Sequence, residues 1–564
     1  MPPNPPLSPI AATPASAAYA SSPQPKVPAG GPRYYDTRMT VRQVNEIDRL
    51  KAPEADGDTL IWPGGASLAR ITESNRELLA SYQWNLAGRP VREWLQARLA
   101  GPLVAMAGHQ PDFFHPGVWA KGVAAAFLSR RMRGSAQFLL VDSDVPNELA
   151  IRWPTLDDNE RLMQRAPLFD SLADRAFEHL PAVSPSFWGQ FVGRLDGANT
   201  WRGEHAFEAF VSGFGAENLA SFSYVDQWIE GVRAVDRALE IESPEFIRVS
   251  EIFSSSGDQR DPAAVAFAAH VIVCADALLL AYNGSLAEYR KRRGVRGNQH
   301  PIPDLIVEHG RTELPFWVIG EGQPRHRLFV SRNGAGQLEL WRGGQVVGAA
   351  DTEMFTRDPR AALERALGGW QIRPRALALT IYARLLACDL FIHGIGGANY
   401  DQVADGIIRR FFGVEPPRFA CVSATARLPL EYALDGEAER AARLRRIRDM
   451  RFNPQRYVEE GSLSGSLNGQ ALARAQAVEE SARLRAEQRH DRQARRAVYQ
   501  RIHRARRELF AAIEHSEKRE HQALAALERR LEKARVAASR EWFFALYPPQ
   551  ALKSLGDRII GGLG

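Results

Sequence analysis

Two short stretches concentrate the residues best able to do chemistry. The first, residues 108–121, reads GHQPDFFHPGVWAK and carries Gly108, His109, Gln110, His115 and Lys121. The second, residues 393–401, reads HGIGGANYD and carries His393, Gly394, Gly396, Gly397, Asn399, Tyr400 and Asp401. Histidine and lysine can hold an anion or move a proton, and glycines let a ligand approach the main chain closely. Phosphate or carboxylate is the chemistry these residue types share.

Each stretch follows an apolar run and precedes a helical pattern, so each reads as a strand-to-helix loop. Pro116 stands where a first helical turn tolerates a missing amide proton, which would leave free amides and the positive end of a helix dipole facing an anion. His109 and His115 would then add hydrogen bonds or protonated charge, and Lys121 a second cation. Asp401 is equally suited to cap its own helix. A third apolar run, 137–141, ends in Asp142-Ser143-Asp144, and a fourth, 418–422, ends at Ser423.

Strand, helix and strand at these spacings predict two right-handed βαβ units of one parallel sheet. Ligands bind such sheets outside the carboxyl ends of the strands, where these loops would emerge together. The expected fold class is α/β: a Rossmann-like parallel-sheet core with helical and antiparallel β insertions and a long C-terminal α-helical coiled coil. The expected divisions are a disordered tail over 1–32, a lead-in and first half-core over 33–151, and a helical insertion over 152–245. A core strand and helices follow over 246–293, a small antiparallel insertion over 294–348, and the second half-core over 349–430. A coiled-coil region over 431–540 and a docking segment over 541–564 complete the chain. Within the helical insertion, Phe187, Trp188, Phe207, Phe210 and Trp228 read as core. His300 and Asp304 open the antiparallel insertion and are candidates to face the substrate, or simply members of a rigid turn.

The coiled-coil reading rests on 470–540, a run without proline or glycine in which Leu524, Leu527, Leu531 and Ala534 share one seam with Val498, Ile502, Leu509 and Ile513. A narrow seam must be covered, either by the tract folding back near residues 514–520 or by a second subunit, and a homodimer through the coiled coil is the expected partner. Residues 461–469 read as a flexible break.

Composition narrows the classes further. The formal charge of +6 is carried by arginines spread along the chain, with the richest cluster in the helical tail. A charge run of that kind is more often a solvated face than a nucleic-acid footprint. Cys274, Cys388 and Cys421 lie far apart without zinc or disulfide spacing, which favours buried, reduced thiols and a cytoplasmic location. A nucleophilic Cys388 close to His393 is the less favoured alternative. No apolar run reaches the roughly 20 residues that span a membrane, so no membrane partner is expected. No pattern identifies a cofactor; a nucleotide such as ATP suits the two loops better than a metal, for which His109, His115, His393, Asp142 and Asp144 lack any motif spacing.

The stretches AGHQPDFFHPGVWAK, FLLVDSD and IHGIGGANYDQVADGIIRRFFGVEPPRF, with the helical tract behind them, resemble the bacillithiol biosynthesis cysteine-adding enzyme family. The His-containing loop is also similar to the phosphate loop of class I aminoacyl-tRNA synthetases and related nucleotidyltransferases. The resemblance implies a Rossmann-type core interrupted by insertions, a helical coiled coil associated with dimers, and a ligase that joins cysteine to a small molecule. Residue type and placement give the expected catalytic set as His109, His115, Asp142, Asp144 and His393, with His109 and His115 stabilising negative charge and Asp142 or Asp144 orienting an amine, hydroxyl or metal. The ligand-binding set would be Gly108, Gln110, Lys121, Gly394, Gly396, Gly397, Asn399, Tyr400, Asp401 and Ser423. The sequence departs from the family in having Gly108-His109-Gln110 for a paired-glutamine loop and a glycine loop other than Gly-Pro-Gly after His393. Two other readings stay open: a non-catalytic coiled-coil assembly protein with a degenerate core, and a metal-dependent hydrolase.

Overall fold

The computed structural model describes residues 47–564 apart from 155–162, 173, 185, 189–190, 192–205, 216–222, 255–260, 298–300, 431–434 and 459–464. The proposed tail over 1–32, His300 and the first part of the proposed flexible break therefore lie outside the described residues. The division that begins at residue 51 is the one described below.

Its centre is a six-stranded sheet made of β1 (Thr59–Trp62), β2 (Val104–His109), β3 (Ser135–Leu140), β4 (Glu245–Arg248), β5 (Leu390–His393) and β6 (Ala420–Ala424). The order is β1-β6-β5-β2-β3-β4; β1 runs antiparallel to β6, and every other pairing is parallel. Side chains alternate across the strands, so Ala105, Ala107, Leu390 and Ile392 enter one core and Val104, Met106 and Phe391 the other. Both faces are covered, which is why these strands read as nearly continuous apolar runs. Helix α1 (Pro116–Arg131) packs over β2, β3 and β6, and α2 (Ile395–Ile407) leads from β5 towards β6.

The five parallel strands have a switch in winding direction. From β2 the chain steps outward through β3 to β4; β5 then starts on the other side of β2 and steps to β6. At such a point the two neighbouring loops diverge and leave a crevice above the strand ends. The crevice falls between β2 and β5, the strands that carry His109 and His393.

Several expectations change. The region over 152–245 is not wholly helical: it opens with an antiparallel pair, Ala150–Pro154 against Met163–Pro167, before helices Phe207–Phe214 and Tyr224–Ala238. The aromatic residues there do form core, with Trp188, Phe207, Phe210 and Trp228 buried. The antiparallel sheet extends past residue 348, because Gln371–Pro374 pairs with the edge of Arg311–Ile319. Asp304 pairs with Arg290 at 2.8 Å.

The C-terminal tract is not one continuous helix. Helices α3 (Glu437–Phe452), α4 (Gly465–Glu487) and α5 (Arg492–Ala537) form an arm in which α4 and α3 both pack on α5. The chain turns back between α4 and α5 rather than near residues 514–520, because Asp491 caps α5 through the amide of Ala494 at 2.8 Å. Residues 465–469 belong to α4, not to a break. Val498 meets Ala477 and Leu484, and Leu509, Ile513, Leu524, Leu527 and Leu531 are buried, so the apolar seam is covered within the chain. After the arm, Phe544 stacks on Phe114 and Trp119, and α6 (Pro549–Leu563) packs on α1. No single helix among the described residues is long and apolar enough to cross a membrane; the bent pair Pro262–Val273 and Ala275–Arg293, long and apolar enough only when joined, is largely buried in the second core.

Candidate functional site

Above the ends of β2 and β5 lies a cleft of about 880 Å³. Gly108, His109, Gln110, His115, Lys121, Asp144, His393, Gly394, Gly396, Gly397, Tyr400, Asp401 and Ser423 all line it. Residues nearly three hundred positions apart thus meet because their strands are neighbours in register, Ala107 lying opposite Ile392.

Three residues singled out in the sequence, Asp142, Asn399 and Asp304, do not line the cleft. Asp142 is fully buried; it accepts hydrogen bonds from the amide (3.0 Å) and hydroxyl of Ser250, and burial, then the nearby Glu178, push its pKa up to about 7. It fastens β3 to the turn after β4. Asn399 does not line the cleft, and its oxygen lies 3.4 Å from Arg293. The glycine-rich stretch itself is hardly a loop: α2 begins at Ile395, so Gly396 to Asp401 form its first turns.

That early start fixes the geometry around His393. Asp401 does not cap α2. It is buried, its Oδ2 lies 3.0 Å from His393 Nε2, and it accepts from Arg384 at 2.6 Å. Burial opposes ionisation of Asp401, but Arg384 and His393 outweigh it and hold the carboxyl below its usual range. An ionised carboxylate can only accept, so His393 donates from Nε2, and in the neutral ring Nδ1 is the nitrogen left to accept. Gly397 makes room for the ring: a Cβ there would lie 2.7 Å from Nδ1.

The first pair of histidines behaves differently from expectation. Burial, then Lys121, lowers the His109 pKa to about 3; burial, then Arg540, lowers that of His115 to about 4. Both are neutral near pH 7, so neither offers protonated charge. His109 Nδ1 lies 3.1 Å from the Gln110 carbonyl and donates to it, leaving Nε2 as an acceptor. His115 caps α1, accepting from the Gly117 amide at 3.0 Å, and the Val118 amide bonds the His115 carbonyl. The start of α1 is therefore satisfied by its own chain and is not the open anion site its sequence suggested. The start of α2 has no side-chain cap and lines the cleft at Ile395, Gly396 and Gly397.

Lys121 lies between these two helix starts. It is 4% exposed, donates to the Gly108 carbonyl at 2.6 Å, and has no carboxylate partner among the described residues. Burial lowers its pKa to about 8. A carbonyl satisfies one proton without neutralising the charge, so a cation stands without its counter-ion above the strand ends.

Further cleft residues come from segments that carry no motif. Arg325 and Arg375, from the antiparallel sheet, flank the Trp317 ring at 4.6 and 4.9 Å. Arg325 also bonds Asp144 at 2.6 Å, and Asp144 accepts from Gln110 at 3.0 Å. Arg540 reaches Thr425 at 2.9 Å and Ser423 at 3.3 Å, while Glu541 stands 3.5 Å from His115 Nε2. Arg384 had a visible signal, a lone cation within the apolar run before His393, which implies a buried acidic partner. Arg540 and Arg325 had none.

Among the described residues no three His, Cys, Asp or Glu side chains converge to hold a metal ion. Cys388 is buried with its pKa driven up by burial, a packing residue rather than a nucleophile. No family model matches the chain, and no curated protein matches it.

Proposed function

We propose that the chain is a ligase or transferase of the cysteine-adding kind, with a Rossmann-like core that binds a nucleotide such as ATP, or another phosphorylated ligand, in the cleft between β2 and β5. The observation that carries this reading is the buried ammonium of Lys121, without a counter-ion, beside the uncapped start of α2. A phosphate seated there would gain the amides of Ile395 to Gly397, the helix dipole and the Lys121 charge together. The cleft falls within the volume range of nucleotide-sized ligands. A nucleotide bound there would supply the group that activates a carboxylate.

His393 is the base that suits such a reaction. With Nε2–H held by Asp401, Nδ1 of the neutral ring would accept the proton of an attacking amine as its nitrogen bonds the activated carboxyl carbon and the activating phosphate or nucleotidyl group leaves with the electron pair of the broken C–O bond. Arg384 keeps Asp401 ionised and in place. His109 Nε2, as an acceptor, and the Gln110–Asp144–Arg325 chain position the amine-bearing substrate, with Arg540 and Glu541 at the cleft wall. This division replaces the charge-stabilising role expected of His109 and His115.

The test is a thermal-shift screen of nucleotides, amino acids and sugar phosphates, since a ligand that binds only the folded protein raises its melting temperature. A phosphorylated ligand should stabilise the wild type and lose at least tenfold in affinity in Lys121→Met. Absence of any such hit, or an unchanged affinity in Lys121→Met, rejects the assignment.

A further inference from the structure

The chain carries +6 overall, and the arm explains where it sits. Between Arg474 and Glu508 there are eleven arginines against five acids, an excess equal to that of the whole chain, so the remainder is balanced. This segment is the distal hairpin of α4 and α5. At its turn, Arg485, Arg489, Arg492, Arg495 and Arg496 are all exposed, and among the described residues none has a carboxylate partner. Arg489 and Arg495 bond only main-chain carbonyls. Several arginines nearer the body are paired, as in Arg443 with Glu520 and Arg451 with Glu517, whereas these five at the turn are not.

We infer that the hairpin tip is a docking surface for the phosphate backbone of a nucleic acid. One turn after Arg495, Tyr499 is 61% exposed, with His503 against its ring at 4.0 Å, which adds an aromatic face to the cationic stripe. An acidic membrane would also attract arginines, but a helix that lies on lipid needs a free apolar face. Here the apolar faces of α4 and α5 are spent on each other through Ala477, Leu484 and Val498. Guanidinium groups suit phosphate oxygens because they donate in a rigid fork. The tip reads no base sequence: contacts of this kind give affinity that falls steeply with salt.

The experiment measures binding of the full-length chain to labelled RNA and DNA duplexes of about 20 base pairs across a salt series. The wild type should bind both, with log K falling linearly against log salt. The variant R489Q/R492Q/R495Q/R496Q should show a slope shallower by about three to four and at least tenfold weaker binding at about 0.1 M salt. The corresponding lysine variant, which keeps the charge, should retain most of the binding and shows that the hairpin still folds. A glutamine variant that binds as the wild type does, a wild type that binds neither duplex at low salt, or attachment to phosphatidylglycerol vesicles without nucleic-acid binding would each overturn the inference. None of these outcomes depends on what the cleft binds.

Discussion

Lys121 is the residue whose ionisation the cleft controls most directly. Its folded pKa, lowered to about 8, lies below the ordinary lysine value, so between about 8 and 10.5 the unfolded chain holds more protons. Stability should therefore rise with pH across that window, and the cost of the buried charge is present below it. Lys121→Met should stabilise the ligand-free protein at pH 7, by up to about 3 kcal/mol, in a denaturant titration. Ligand binding has the opposite sign: an anion favours the charged amine, so affinity should fall as pH rises through about 8, and calorimetry on Lys121→Met should find that dependence gone. His109 and His115, lowered to about 3 and about 4, should show no protonation in NMR titrations between pH 8 and 5. Asp142 works in the other direction. Raised to about 7, it holds a proton in the folded state that the unfolded chain releases from about 4 upward, so its contribution is lost as pH climbs to 7. Asp142→Asn should flatten that part of the stability profile and leave ligand affinity unchanged, whereas a catalytic Asp142 would lose turnover.

At the scale of elements, the two helices above the strand ends have opposite fates. The start of α1 is closed by His115, while that of α2 is open and carries Asp401 in its second turn, where it meets His393. Glycine decides both packings. A Cβ at Gly117 would lie 2.6 Å from the Ala424 carbonyl, and one at Gly397 would lie 2.7 Å from the His393 ring. Gly397→Ala should displace the imidazole from Asp401 and cut turnover by one or two orders of magnitude, with thermal stability lowered by no more than about 2 kcal/mol. Wild-type turnover in that variant would remove His393 from the reaction. Strand, loop and helix were legible at both sites because apolar runs, Pro116 and the glycines punctuate them. The boundary of α2 was misread because Gly396 and Gly397 signal a loop locally, whereas packing against β5 makes them helical.

For the whole molecule, the arm and the cleft share a hinge of sequence at residues 537–541. Here α5 ends, Arg540 bonds the hydroxyls of Ser423 and Thr425 at the end of β6, and Phe543 and Phe544 enter the core. Replacing residues 472–508 with a short Gly-Ser turn should leave cleft affinity within about threefold, measured by the same thermal-shift titration; a protein whose function is assembly alone would lose its activity instead. We also propose that the chain dimerises through the arm, using outer faces, because the seam of α5 is covered by α3 and α4. Sedimentation of the full chain and the shortened one should show a dimer converted to a monomer; equal oligomeric states would reject it.

Local pattern determined the parallel strands of the core, most of the long helices and the position of the two chemical stretches, because apolar periodicity and helix punctuation act over a few residues. It also placed the aromatic core and the part of the cleft lining that the two chemical stretches supply. Tertiary structure alone decided which side chains are charged and which are paired. Burial neutralised His109 and His115, withdrew Asp142 from the cleft, and brought Arg325 and Arg540 to it from segments with no motif. Solvation and long-range neighbours set those properties, and neither is a function of nearby sequence.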